Sequence, residues 1–336
     1  MALPDIYSEG IASGWKVIDG AKLSAPQTLE ADVAIIGSGA GGGVAAEILA
    51  LAGLKVLLLE EGALRTSASF RDMDEGRAMR ELYQEAGARA TSDGAIAVLQ
   101  GRSVGGSTTV NWTSSFRTPE PTLKFWASQC EVVGHGVDEM RPWFEQMEKR
   151  LDVMRWEAHN PNNSVLMRGC QKLGWEAHAI PRNVRGCWNS GYCGLGCPVN
   201  AKQSMLVSTI PEALKHGATL VHRLRVRQLQ HADGKISGAV GEALRDDGRT
   251  PSGTLVTIKA RHFIAAGGAI NTPALLLRSQ LPDPHKLLGK RTLIHPVVLS
   301  LAQFDERIDP FYGAPQSIAS DHFQWKDGAT GPMGYK

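Results

Sequence analysis

Three groups of residues in this chain have the types and spacing to do chemistry. The first is Gly37-Ser38-Gly39-Ala40-Gly41-Gly42, with Glu60 about 20 residues on. Gly37 permits a tight turn, Gly39 lets backbone amides approach a pyrophosphate, and Gly42 lets a helix pack close to a strand. A helix starting there offers unpaired N–H groups and roughly half a positive charge to phosphates. Glu60 is placed to accept hydrogen bonds from an adenosine ribose, and Glu61 beside it disfavours a 2′-phosphate despite the nearby Arg65. The second group is Gly101 to Trp112, which carries Gly105, Gly106, Ser107 and Asn111. A run of small residues lets backbone reach a flat ring, and Asn supplies both a donor and an acceptor. The third is Cys187, Cys193 and Cys197-Pro198, spaced C-x5-C-x3-C-P. The small residues between the sulfurs let the chain curl around one centre, and proline after the last cysteine suits a cluster loop. An iron–sulfur cluster, buried structural thiols, a disulfide and zinc all stay open. Tetrahedral zinc wants a fourth ligand, and none is adjacent.

The elements around the first group read as a βαβ unit. Val33 to Ile36 is an apolar run with β-formers, and Ala45, Ala46, Ile48, Leu49 and Leu51 give a helix one wide apolar face. Gly53 ends that helix, and Val56 to Leu59 reads as a second buried strand. In a chain with 37 glycines a bare GxGxxG is weak evidence. Strand before, helix after and acid at the second strand end are what make it a dinucleotide fingerprint. It does not separate FAD from NAD.

Further along, residues 67–86 have near-helical apolar spacing, and Asp138 reads as the cap of a helix through Leu151. Another helix is expected from Ser164 to Leu173, and one from Ser204 to His216. Leu220–Leu229, Ile236–Ala243, Leu255–Ile258 and Arg261–Ala266 read as strands, and Asn271 opens a helix after Gly267-Gly268. Residues 1–30 read as an extension packed on the main body through Trp15, Val17 and Ile18.

The net charge of +2 supports neither nucleic-acid nor membrane binding, and no apolar run reaches the roughly 20 residues of a membrane span. The N-terminus lacks the pattern of a secretory signal, and five cysteines is an odd count for a disulfide framework. A reducing, cytoplasmic setting is the expectation.

Three matches in order identify a resemblance. GSGAGG with LLLEEG, then GRSVGGSTTVNW, then AAGGAINTPALLLRSQL resemble the glucose–methanol–choline (GMC) oxidoreductases, which are FAD-dependent. GRSVGGSTTVN resembles the family's flavin-attachment segment, in which Gly105, Gly106 and Ser107 would run along the cofactor and Asn111 would approach the isoalloxazine ring. Val226 matches the position whose backbone faces the adenine, and Gln280 and Leu281 stand where a glycine is more usual. The resemblance covers Ala31 to about Pro296.

Family members are longer, and their catalytic His with a second His or Asn lies in a C-terminal segment expected downstream of Lys336. His295, in LIHP, resembles an HP element of the alcohol-oxidising branch; the other nine histidines have no motif around them. The cysteine spacing resembles the sugar-dehydrogenase branch, which passes electrons from an iron–sulfur cluster to a cytochrome. The AKQSMLV text resembles the long-chain alcohol oxidase branch instead.

The expected fold is α/β: a Rossmann-like FAD-binding domain (31–135 and 200–295) with an incomplete α+β substrate domain (136–199 and 296–336). The implied reaction is oxidation of an alcohol or sugar CH–OH, with hydride passing to the flavin and electrons leaving to oxygen or a redox partner. The alternatives are an FAD-binding fragment without turnover, because the base is missing, and an NAD-linked dehydrogenase.

Overall fold

The computed structural model describes residues 5–290, 292–293 and 297–326. His295 lies outside the described residues, as does the chain beyond Lys326. The strands in chain order are β1 (Lys16–Asp19), β2 (Gln27–Ile36), β3 (Val56–Leu59), β4 (Val153–Arg155), β5 (His178–Ala179), β6 (Pro181–Asn183), β7 (Thr219–His222), β8 (Leu224–Ala232), β9 (Lys235–Leu244), β10 (Pro251–Ala265) and β11 (Ile318–Ala319). The chain divides into two compact units. The first holds residues 1–110, 194–200 and 204–299; the second holds 111–193, 201–203 and 300–336.

The first unit is built on one seven-stranded sheet, in the order β1-β7-β3-β2-β10-β9-β8. The first five strands run parallel, and β9 and β8 continue antiparallel at the far edge. The α/β class and the parallel centre agree with the sequence. Ala34, Ile36, Leu57, Leu59, Val221, Val256 and Ile258 form the middle of its core. Residues 1–30 do more than pack on the body, because Lys16–Asp19 forms an edge strand paired with β7.

The helix after β2, Ala40–Leu51, differs from its expected face. Gly42, Gly43, Ala46 and Ala50 are buried, while Ile48 and Leu51 are exposed. The cause is close packing. A Cβ on Gly42 would stand 1.8 Å from the Gly37 carbonyl oxygen. A helix brought that near must rest on its smallest residues, so the large apolar ones turn outward.

Other boundaries moved for local reasons. The expected helix over 67–86 breaks into Ser67–Phe70 and Glu75–Leu82, because Asp74 accepts the Arg77 N–H at 2.7 Å and caps a new start. The helix expected from Ser204 is only Thr209–Lys215, with Pro211 tolerated in its first turn. The two strands expected over 255–266 are one, β10; Lys259 and Arg261 interrupt the apolar pattern without breaking the strand, reaching Glu30 and Asp32 on β2. Conversely, the single strand expected over 220–229 is two, divided at Arg223, whose φ is +54°. Arg223 turns there to pair with both oxygens of Asp19.

The second unit carries two small antiparallel ladders, β4 with β6 and β5 with β11. Its helices are Glu120–Gln129, Val137–Arg150 and Pro161–Leu173. The helix over 137–150 starts at a Gly136 cap rather than at Asp138, and none of its residues is fully buried. Asn160 caps the helix over 161–173 through the Asn163 N–H at 2.8 Å, so that helix begins earlier than the apolar spacing indicates.

Candidate functional site

The glycine-rich turn of the first unit has the conformation its residue types require. Gly37 has φ +105°, and a Cβ there would meet the Ala266 carbonyl oxygen at 2.3 Å. Gly39 caps the Ala40–Leu51 helix with no side-chain hydrogen bond, and the Gly43 N–H donates to the Gly39 carbonyl at 2.8 Å. The cap residue therefore offers the first-turn amides no side chain. A helix start of this length usually carries Ser, Thr, Asp or Asn at the cap; here that place is left to glycine, and small anions are the natural partners of such a terminus.

The second glycine segment closes on the first. Gly105 has φ +90° and Gly106 φ +54°. A Cβ on Gly106 would lie 2.7 Å from the Gly39 Cα, so backbone meets backbone at this point. Ser107 is exposed at the start of a short turn and accepts the Gly101 N–H at 2.9 Å.

Ser38 joins these parts, and spacing alone did not single it out. Its hydroxyl donates to Glu60 Oε2 at 2.5 Å and accepts the Gly105 N–H at 3.0 Å; its own N–H donates to Glu60 at 3.0 Å. Glu60 Oε1 accepts the Gly62 N–H at 2.8 Å. Glu60 is thus only 7% exposed and bonded inward on both oxygens, and burial raises its pKa against the pull of those bonds. Oε2 has both lone pairs engaged by Ser38, whereas Oε1 accepts one bond and retains a lone pair for a further donor. The one signal available in sequence was a hydroxyl between two glycines.

Glu61 is fixed differently. Arg102 and Arg225 both donate to its Oε1, at 2.8 and 2.9 Å, and these two cations hold its carboxyl below the usual range against burial. Arg65 is engaged with Glu81 at 2.8 Å. Val226 sits on β8 in the core, two residues after Leu224, whose N–H donates to the Glu60 carbonyl at 3.0 Å. The first unit therefore gathers Gly37, Gly39, Gly42, Glu60, Gly105, Gly106, Ser107 and Val226. Asn111 belongs to the second unit, where its side chain is exposed and its Oδ1 accepts the Thr113 N–H at 3.3 Å. Its carbonyl accepts from Lys202 Nζ at 2.8 Å.

The cysteines need a correction. None of the five forms a disulfide, and among the described residues no group of three or more His, Cys, Asp or Glu side chains is gathered to hold a metal ion. Cys187 and Cys193 lie in the second unit and Cys197 in the first. The Cys193 sulfur accepts from the Arg182 guanidinium at 3.5 Å. The C-x5-C-x3-C spacing measures distance along the chain only. The iron–sulfur expectation is withdrawn.

Among the described residues His222 is the one histidine that burial changes strongly. It is 6% exposed, and loss of hydration lowers its pKa to about 4, with Arg223, Arg65 and Lys22 adding to the effect and Asp19 opposing it. Its Nδ1 lies 3.8 Å from Asp19 and makes no hydrogen bond.

The chain belongs to the GMC oxidoreductase family, whose description matches residues 79–297. It is 33% identical over 292 residues to the long-chain-alcohol oxidase FAO4B of Arabidopsis thaliana, covering 85% of this chain and 38% of that protein. It is 34% identical over 306 residues to the GMC-type oxidoreductase Rv0492c of Mycobacterium tuberculosis, covering 90% of this chain and 47% of the other. Among solved structures, pyridoxine 4-oxidase from Mesorbium loti superposes with a TM-score of 0.56 at 17% identity, over 74% of this chain and 51% of that one. The chain thus spans about half the length, or less, of these relatives. Among the described residues no helix is long and apolar enough to cross a membrane.

Proposed function

We propose that the chain binds FAD in its first unit and serves in oxidation of the CH–OH group of an alcohol. The observation that carries this reading is the backbone-on-backbone approach of Gly106 to Gly39, at a helix start that no side chain caps. A pyrophosphate needs the free amides and the absence of Cβ atoms that this arrangement provides. Gly37 and Gly42 hold the turn, and Gly39 and Gly106 form the cradle. Glu60, steadied by Ser38, takes the ribose; Val226 presents backbone to the adenine; Ser107 serves the ring end. When bound, the flavin would supply a hydride acceptor for oxidation of the carbinol carbon. Oxygen as electron acceptor and a long-chain alcohol as first substrate are supported by the relatives' names. No base among the described residues is assigned.

The test is an absorption spectrum of the purified chain, followed by acid release of the chromophore and an assay with a fatty alcohol. Flavin bands with FAD recovered and alcohol-dependent reduction support the whole reading. FAD without reduction leaves a flavin-binding protein that does not turn over, and tight NADH binding to a colourless chain overturns the cofactor assignment.

Glu60→Ala is expected to weaken FAD retention by about 1.5–3 kcal/mol, the worth of a hydrogen bond to a charged acceptor. It also removes the inward bonds that order Ser38 and Gly62. Equilibrium dialysis of FAD measures this, with Glu60→Gln separating charge from shape. Unchanged affinity in both variants would count against the ribose role.

A further inference from the structure

Arg182 lies on β6 and is 0% exposed. Its guanidinium stacks on Trp156 at 4.9 Å and donates from Nε to Thr113 Oγ1 at 2.8 Å. Nη2 points to Cys193 Sγ at 3.5 Å, and Nη1 is buried with no hydrogen-bond partner. Among the described residues no carboxylate pairs with it. A second buried cation, Lys202 at 2% exposure, donates to the carbonyl of the same Cys193 at 2.5 Å. A wholly buried charge facing only a hydroxyl, an indole ring and a neutral thiol would be poorly compensated. The group in contact with Arg182 that can supply an anion is the sulfur. A neighbouring arginine favours the thiolate over the thiol, and Cys193 is partly open to solvent.

We propose that Cys193 is held as a thiolate by Arg182 and is a modification site of this chain, reactive toward soft electrophiles and low-molecular-weight disulfides. With a disulfide, the thiolate attacks one sulfur, the new S–S bond forms as the old one breaks, and the second half leaves as a thiolate. The adduct is neutral, so it deprives Arg182 of its counter-charge. The inference is independent of the flavin reading, since it concerns the second unit alone.

The experiment is site-resolved iodoacetamide labelling of the intact chain at pH 6 and pH 8.5, with chelator present, read by mass spectrometry. The exposed Cys130 serves as internal reference. An ordinary thiol with a pKa near 8.5 should label roughly a hundredfold faster at the higher pH. Cys193 should change less than about threefold, because its thiolate is already formed at pH 6. Hydroxyethyl disulfide at pH 6 should add one mixed disulfide, on Cys193. A Cys193 rate that climbs in parallel with Cys130 overturns the proposal, as does a Cys193 that stays unlabelled while Cys130 reacts. The pH profile needs no variant; Arg182→Met, if it folds, should restore the steep profile at Cys193.

Discussion

Gly106→Ala is expected to lower FAD affinity at least about a hundredfold, close to 2.8 kcal/mol at about 1.4 kcal/mol per factor of ten. Two costs combine. An alanine at φ +54° gives up about 1–2 kcal/mol to left-handed backbone. Its Cβ would also stand 2.7 Å from the Gly39 Cα and 3.3 Å from the Gly39 nitrogen. Those atoms are main chain, which cannot swing aside like a flexible side chain, so the two glycine segments must separate, at about 1–3 kcal/mol for overpacking. Separation would pull Gly105 from Ser38 and so loosen Glu60. Gly217→Ala is the control: φ is +88° there and nothing lies within 4 Å of the added Cβ. It should cost about 1 kcal/mol of stability and leave FAD affinity unchanged. Fluorescence titration of FAD on both variants, with thermal unfolding alongside, decides the matter. Equal losses of affinity would mean that backbone strain, and not the close approach, governs binding.

The second large effect is expected in acid. His222 stays neutral in the fold down to about pH 4, whereas in the unfolded chain it gains its proton near the ordinary histidine value of 6.5. Above 6.5 both states are neutral and the group contributes no pH dependence. As pH falls below 6.5 the unfolded state binds the proton and the folded state does not, so stability declines until the folded pKa is reached. The loss is about 3 kcal/mol at 1.36 kcal/mol per unit. Asp19 is held below its ordinary pKa: burial raises it, but the Arg223 hydrogen bonds and the neighbouring His222 outweigh that. Its own contribution is lost only at lower pH, below about 4. Urea titrations at pH 7, 5.5 and 4 should therefore show the first part of the acid loss, and His222→Gln should remove most of it. An identical pH slope in that variant would assign the loss to other groups.

The βαβ core was legible because its signals are local. Gly37, Gly42 and the apolar runs at 33–36 and 56–59 are dictated by neighbours within a few residues, and the structure keeps those elements. What escaped depends on partners far away in the chain. Arg223 splits a strand because Asp19, about 200 residues earlier, draws it aside. Glu60 looked like an open acceptor, but Ser38 and Gly62 engage it from within the fold. The spacing sets the cysteines against each other, whereas one group that Cys193 meets is Arg182, a residue with no motif around it. The large side chains Ile48 and Leu51 suggested a helix face that close packing on glycine reversed.

The central place of β10 bears on how the chain is made. One flank of β2 is paired by β3 almost as soon as it is synthesised, at residues 56–59. Its other flank pairs with residues 256–265 of β10, roughly 220 residues after β2 ends. At about 5–20 residues per second, a ribosome leaves that flank without its partner for about 10–45 s. During that interval the nascent chain presents a row of open amides beside Val33, Ala34, Ile35 and Ile36, the kind of edge on which neighbouring chains assemble. Slower translation between residues 60 and 250 should lengthen that exposure and lower soluble yield, while leaving the finished protein's stability untouched.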